Sequence, residues 1–244
     1  MTPKTERNAL SIIALLLLCS LFAMVIGCGK ADPASSLPPQ QAQAVKALRA
    51  ANAKVAIRDR NVTYIDFYQV AGVPNLLVHL KSFPNLQTIN FSGTDVTDDS
   101  LVHLEGLANL KELALNYTKI SDKGVAHLAG LTTLKEVNFN KDDVTDAALE
   151  HLKHMQELVQ LHLNETQVTD AGMKHLAECK KLKYLSVYGT RVTASGAEEF
   201  RKTHPDAEIA ISEGDTKDHA GQDDKSSAPA SNGASDVAGG RPLE

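Results

Sequence analysis

The chain has 244 residues, of which 43% are hydrophobic, and a formal net charge of −5. After Ser212 there are seven acidic and three basic residues, which account for −4 of that charge and leave the rest of the chain near neutral. A nucleic-acid-binding domain needs a basic face, so this balance argues against a nucleic-acid partner.

The first 28 residues have the pattern of an export signal. Lys4 and Arg7 precede an apolar run over residues 10–26, and Cys28 follows Gly27 directly. A basic segment, an apolar segment and a small-residue cleavage site describe a secretory signal peptide. The string Val-Ile-Gly-Cys resembles a bacterial lipoprotein box, which implies that Cys28 is lipid-modified and becomes the mature N-terminus. The alternative is an uncleaved transmembrane anchor, because the run has about the minimum length that spans a bilayer.

Composition divides the chain into five parts. Residues 1–27 are the predicted signal peptide, and residues 28–40, with three prolines, form the lipidated cysteine and a linker. Residues 41–62 are the predicted N-terminal cap, containing a helix and the start of a hairpin. Residues 63–211 are the predicted repeat domain of about six units. Residues 212–244 are rich in Gly, Ser, Ala and Asp and are predicted to be disordered.

Four consecutive blocks of 24 residues fill Gln87–Leu182 without a gap. Each block opens with an alternating apolar pair, such as Ile89 and Phe91, and alternation by two places both side chains on one face of a strand. A turn then leads to a hydroxyl–acid pair such as Thr97-Asp98. Thr or Ser is suited to cap a helix, and Asp in the first turn suits the helix dipole. A strict period between 20 and 50 residues indicates a solenoid of strand–turn–helix coils.

The repeated pattern is L-x-x-L-x-L-x-x-T-x-V/I-T-D, present as Leu110–Asp122 with Ser in place of the second Thr. It resembles the leucine-rich repeat of bacterial proteins over about residues 62–211. Asp142 departs from the first threonine position, which other blocks fill with Thr94, Thr118, Thr166 and Thr190. The resemblance implies an α/β leucine-rich repeat solenoid, a horseshoe-like arc with a parallel sheet on the concave face and short helices on the convex face.

Five histidines recur 24 residues apart: His79, His103, His127, His151 and His175. A metal site would need imidazoles from neighbouring coils to reach one ion, whereas this position lies on the outer arc at the edge of the helical face. Packing of partly buried rings is the favoured interpretation, so no metal and no cofactor are predicted. No nucleophile is accompanied by a base and an orienting group, so no catalytic residue is assigned and the chain is predicted not to be an enzyme.

The strand residues that alternate with the core form the candidate binding surface on the concave face. The candidate contacts are Tyr64, Asp66, Tyr68, Asn90, Glu112, Asn116, Glu136, Asn138, Asn140, His162, Asn164, Tyr184, Ser186 and Tyr188. Amides together with tyrosines suit a peptide or a glycan. The alternative is that the asparagines satisfy the turn after each strand and the tyrosines cover the terminal coils.

The sequence therefore predicts a non-enzymatic recognition module that is exported to the bacterial cell envelope and anchored to a membrane by lipid on Cys28. Its expected partner is a protein or a glycan bound through the concave face. The alternatives are an envelope-organising lipoprotein without a specific ligand and, as a third hypothesis, metal binding by the five histidines.

Overall fold

The computed structural model describes residues 32–212. The predicted signal peptide, the lipid site Cys28 and the predicted disordered tail after Ser212 lie outside the described residues. Within residues 32–212, no helix combines the length and the apolar character needed to cross a bilayer.

The N-terminal cap is one helix followed by one hairpin. After a 3-10 turn at Pro33–Ser36, the helix spans Pro39–Ala50 and buries Val45 and Leu48 completely. Proline suits the first helical position because its fixed φ is already helical and its missing N–H has no partner there in any case. The hairpin pairs β1 (Lys54–Arg58) antiparallel to β2 (Asn61–Asp66) and places β1 at one edge of the sheet.

Seven strands, β2 to β8, pair side by side in chain order as a parallel sheet. The six after β2 are only three residues long: β3 Thr88–Asn90, β4 Glu112–Ala114, β5 Glu136–Asn138, β6 Gln160–His162, β7 Tyr184–Ser186 and β8 Glu208–Ala210. Residues 24 apart lie opposite one another, as in Ile65 with Ile89 and Ile89 with Leu113. The middle residue of each short strand is buried, so a single hydrophobic core runs through all the coils.

The other side of each coil is a short helix. Three are 3-10 helices, at Val73–Ser82, Asp98–Leu104 and Lys174–Glu178, and four are α-helices, at Asp122–Ala126, Asp146–Leu152, Asp170–Met173 and Ala194–Thr203. Helices this short are not stable alone in water, so packing against neighbouring coils maintains them. The predicted α/β leucine-rich repeat solenoid is confirmed.

An aspartate at the start of the convex helices ties its coil to the next one. Asp122 accepts the Thr145 N–H at 2.8 Å through Oδ1 and the Thr145 hydroxyl at 2.6 Å through Oδ2. The same two bonds recur in three other pairs: Asp98 with Ser121, Asp146 with Thr169 and Asp170 with Thr193. The carboxylate therefore bonds across coils, in addition to the helix-dipole role expected from sequence.

Small residues make room for these carboxylates. A Cβ atom added at Gly172 would clash with the Asp146 carboxylate, and one added at Gly196 would clash with Asp170. Adjacent coils therefore approach closely where the aspartate crosses between them.

Candidate functional site

The uncovered face of the sheet presents two rows of side chains, set by the 24-residue register. The first row contains Tyr64, Thr88, Glu112, Glu136, Gln160, Tyr184 and Glu208. The second row contains Asp66, Asn90, Ala114, Asn138, His162, Ser186 and Ala210. Neighbouring strands lie about 4.8 Å apart, so each row brings together side chains that are distant in sequence.

The first row is acidic. It holds Glu112, Glu136 and Glu208 and no lysine or arginine. Glu112 Oε2 accepts the Thr88 hydroxyl at 2.9 Å. None of the ion pairs formed among residues 32–212 includes these three glutamates. The row therefore carries negative charge that the described residues do not neutralise by direct contact.

Asp66 in the second row is engaged within the fold. Its side chain lies 3.1 Å from Lys54 Nζ and accepts the Tyr68 N–H at 2.9 Å and the Asn90 amide at 3.0 Å. Burial acts to raise the pKa of Asp66, but the Tyr68 N–H and the Lys54 ammonium outweigh it, and the pKa lies below its ordinary value. Asp66 is only 7% exposed. It therefore positions its neighbours rather than offering a free carboxylate.

Ser186 and His162 are neighbouring members of the second row. Ser186 is buried and donates its hydroxyl to Asn164 Oδ1 at 2.6 Å. The half-buried His162 ring lies 5.4 Å, centroid to centroid, from that of Tyr184. Burial lowers the pKa of His162 below 6.5, partly opposed by the charge of Glu136. The imidazole is therefore mainly neutral at pH 7 and adds no full positive charge to this face.

Asn116, Asn140 and Asn164 each lie two residues after a member of the second row. Asn116 Oδ1 accepts the Ser92 hydroxyl at 2.7 Å, and Asn140 Oδ1 accepts the Asn164 N–H at 2.7 Å. Asn164 Oδ1 also accepts the Tyr188 N–H at 2.8 Å. These bonds favour the alternative interpretation, in which the asparagines satisfy the turns. Among residues 32–212 their amide nitrogens donate to no acceptor, so that half of each side chain remains available.

Two of the four candidate tyrosines are well exposed: Tyr68 at 53% and Tyr188 at 48%. Tyr64 and Tyr184 are half-buried within the first row. Tyr64 and Tyr68 lie on the first coil and Tyr184 and Tyr188 on the sixth, so each of these two coils keeps one large accessible ring, that of Tyr68 or Tyr188.

Sequence reasoning missed Tyr117, which is 59% exposed. It occupies a position that has positive φ in six successive coils: Gln69, Gly93, Tyr117, Lys141, Glu165 and Gly189. This conformation costs a non-glycine residue about 1 kcal/mol or more. Lys141 Nζ lies 5.0 Å from the Tyr117 ring centroid and 3.1 Å from Glu165 Oε1, which links the three side chains. In the sequence, only Gly93 and Gly189 indicate that this turn position has a positive φ.

A cleft of about 810 Å³ lies between the cap hairpin and the first coils. We call it the cap cleft, and its lining is Ala56, Arg58, Asp59, Asn61, Thr63, Tyr64, Asn85, Gln87, Thr88 and Glu112. Three of these residues, Tyr64, Thr88 and Glu112, also belong to the first row. The amino-terminal end of the acidic row is thus partly enclosed, whereas the rest is an open surface.

The five repeated histidines are all half-buried on the convex side. His127 Nδ1 lies 2.8 Å from Glu105 Oε1. In the part of the chain that the structure describes, no group of three or more His, Cys, Asp or Glu side chains is placed to hold a metal ion. Cys179 is buried, and burial raises the pKa of its thiol to about 11, so the unreactive thiol form dominates.

Comparison with known proteins gives one family match. The model of the leucine-rich repeat family matches residues 106–129, which is one repeat length. No curated protein sequence matches the chain significantly.

Several solved structures resemble the chain. Internalin C2 of Listeria monocytogenes has 19% identity and a TM-score of 0.45, with 55% of each chain covered. Another internalin of Listeria monocytogenes has 20% identity and a TM-score of 0.49, covering 58% of this chain and 38% of its own. A leucine-rich repeat protein of Leptospira interrogans has 20% identity and a TM-score of 0.42, covering 58% of this chain and 34% of its own.

The chain thus spans about half or less of the length of these neighbours. At such similarity the fold assignment rests on the chain's own features, which are the gapless 24-residue period, the in-register parallel sheet and the matched repeat model. The described part of the chain is a leucine-rich repeat solenoid.

Proposed function

We propose that this chain is a non-enzymatic recognition module that binds a protein or a glycan through the uncovered face of its sheet. Domains with this fold commonly serve in protein interactions. The observation that carries the proposal is the pair of in-register rows, in which side chains from seven strands line one continuous surface with a partly enclosed end. Because Asp66 and Ser186 are buried, the proposed contacts are the accessible members of the predicted set together with Tyr117.

Site-specific photo-crosslinking tests this proposal without disturbing the asparagines that hold the turns. A photoreactive amino acid replaces Gln160, an exposed first-row residue, in the full chain solubilised in mild detergent. Illumination in native envelope extract is expected to give a discrete adduct, because a bound partner must cover this position. Sensitivity of the adduct to protease or to glycosidases identifies its class.

Glu198 on the convex helix Ala194–Thr203 is the matched control, since it is also solvent-exposed but lies on the opposite surface. The proposal requires an adduct from Gln160 and none from Glu198. Absence of any adduct, or the same adducts from both positions, would support the alternative role as an envelope-organising protein without a specific ligand.

The second part of the proposal is that lipid on Cys28 anchors the chain to a membrane of the cell envelope. The Val-Ile-Gly-Cys string and the preceding apolar run support it. Multiple acyl chains would make the attachment stable. In detergent phase partitioning, the wild-type chain is expected in the detergent phase and to incorporate labelled fatty acid. Cys28→Ser is expected to remove the label and block maturation. Unchanged mass and no label in the wild-type chain would instead indicate an uncleaved transmembrane anchor.

A further inference from the structure

The sheet face is distinguished by its charge. Glu112 and Glu136 lie directly opposite one another on β4 and β5, about 4.8 Å apart at the backbone. Like charges at opposed positions of neighbouring strands destabilise a sheet. No ion pair among residues 32–212 relieves this repulsion. A positive group seated over both glutamates would relieve it.

The nearby cations of the chain do not occupy this position. Lys111 and Lys135 lie just before β4 and β5, and in the described part of the chain neither forms an ion pair with Glu112 or Glu136. Lys111 Nζ instead donates to Gln87 Oε1 at 3.2 Å. Lys54 is paired with Asp66, and the second-row histidine is mainly neutral. The uncompensated charge of the face is therefore negative and lies at Glu112 and Glu136 on β4 and β5 and at Glu208 on β8.

We propose that the occupant of this face is an extended protein segment bearing lysine or arginine, a proposal that rests on the recognition function above. The face is two residues wide and seven strands long, or about 29 Å from β2 to β8 at roughly 4.8 Å per strand. An extended chain rises about 3.3 Å per residue, so roughly nine residues cross it. The half-buried rings of Tyr64 and Tyr184 flank the glutamates and offer faces that attract cations.

Two other occupants fit less well. The chain's own segment after Ser212 has seven acids and three bases, so its charge of −4 is repelled by the first row. A neutral glycan hydrogen-bonds to amides and stacks on tyrosines but leaves the glutamate pair without a counter-charge. Arg58 also lines the cap cleft, so the positive groups of the partner are expected over β4 and β5 rather than against the cap.

Fluorescence anisotropy of the full chain in detergent tests the proposal with defined probes. The probes are a labelled 12-residue peptide in which lysine alternates with serine, the same peptide with glutamate for lysine, and a neutral chitin oligosaccharide. The lysine peptide is expected to bind, more weakly as salt is raised from 50 to 300 mM, and the glutamate peptide is not. Salt screens attraction between exposed charges, which gives this dependence its sign.

The double variant Glu112→Gln, Glu136→Gln isolates the site. Glutamine keeps an acceptor oxygen for the Thr88 hydroxyl, so the fold retains that contact. Loss of two charge contacts, one at the exposed Glu112 and one at the half-buried Glu136, is expected to weaken binding of the lysine peptide about five- to tenfold. The control is Glu178→Gln, Glu198→Gln, which changes the charge equally at two exposed convex positions and is expected to weaken binding less than about twofold.

Equal weakening by both double variants would show only the general field of an acidic protein and overturn the proposal. Preferential binding of the oligosaccharide, or equal binding of both peptides, would overturn it as well. An adduct from the Gln160 experiment combined with no binding of the lysine peptide would reject the cationic partner and leave the recognition function standing.

Discussion

Replacing Asp98 with alanine is expected to lower the free energy of unfolding by about 2–3 kcal/mol. Its carboxylate accepts the Ser121 N–H at 2.8 Å and the Ser121 hydroxyl at 2.5 Å, both from the next coil. The variant leaves a partly buried backbone N–H without a partner, and that is the larger part of the cost. Urea unfolding of the full chain followed by circular dichroism measures the difference.

Asp99 is the matched control because it lies in the same helical turn, is exposed and makes no side-chain hydrogen bond among the described residues. If the acid acted only through the helix dipole, Asp98→Ala and Asp99→Ala would cost similar amounts, about 0.3–1 kcal/mol each. The cross-coil bond predicts a large cost at Asp98 and less than about 0.5 kcal/mol at Asp99. Equal costs at the two positions would contradict it.

Replacing Asp142 with threonine is expected to stabilise the chain at pH 8 by about 1–3 kcal/mol, because removal of the buried charge outweighs the loss of an acceptor for the buried Thr118 N–H. Asp142 is only 4% exposed, and its Oδ2 is buried without a hydrogen-bond partner among the described residues. Burial raises the pKa of its carboxyl from 3.8 to about 7, although the Thr118 hydroxyl and N–H bonded to Oδ1 act to lower it. Threonine removes the buried charge. It can also donate to the carbonyl three residues earlier, as Thr94, Thr166 and Thr190 do at 2.7 Å.

The stabilisation should depend on pH with a definite sign. Between pH 3.8 and about 7 the native Asp142 keeps a proton that the unfolded chain has lost, so its contribution to stability falls as the pH rises through this window. At pH 4 the carboxyl is protonated in the native state, and the advantage of threonine is expected to shrink to about 1 kcal/mol or less. Measuring unfolding at pH 4, 6 and 8 checks the trend.

Asp143→Thr serves as the control, because Asp143 is adjacent and exposed. It is expected to change the free energy of unfolding by less than about 0.5 kcal/mol at each pH. A gain from Asp142→Thr that is constant from pH 4 to pH 8, or no gain at pH 8, would show that the carboxyl does not titrate as its burial implies.

The fold could be predicted from sequence because every coil repeats the same local pattern. Ile89 and Phe91 in one block and Leu113 and Leu115 in the next alternate identically, and all four are buried. The bonds between coils could not be predicted in the same way. Asp98 and Ser121 are 23 residues apart, and only the completed register of the sheet shows that one lies against the other.

The sequence pattern predicts which strand residues share the uncovered face, but it does not predict which of them are accessible to a partner. Alternation places Asp66 and Glu112 on the same side of the sheet, yet Lys54 of the cap hairpin covers Asp66 and nothing comparable covers Glu112. Tyr117 was not predicted as a contact because it lies in the turn after the strand, where the alternation of a strand no longer assigns side chains to a face. Its backbone has a positive φ there. Sequence periodicity assigns the side of a strand, and tertiary neighbours decide which side chains remain free.

The aspartate bonds that join successive coils also bear on how such a chain can change in length. An internal coil carries an aspartate that accepts hydrogen bonds from the next coil and a threonine or serine that donates to the preceding coil. A duplicated unit of 24 residues would therefore contain both hydrogen-bonding partners. An insertion of any other size within a strand or helix would put the carboxylate out of reach of its threonine. Growth and shortening of the array by whole coils, with extra residues tolerated only in the loops, follows from this one repeated contact.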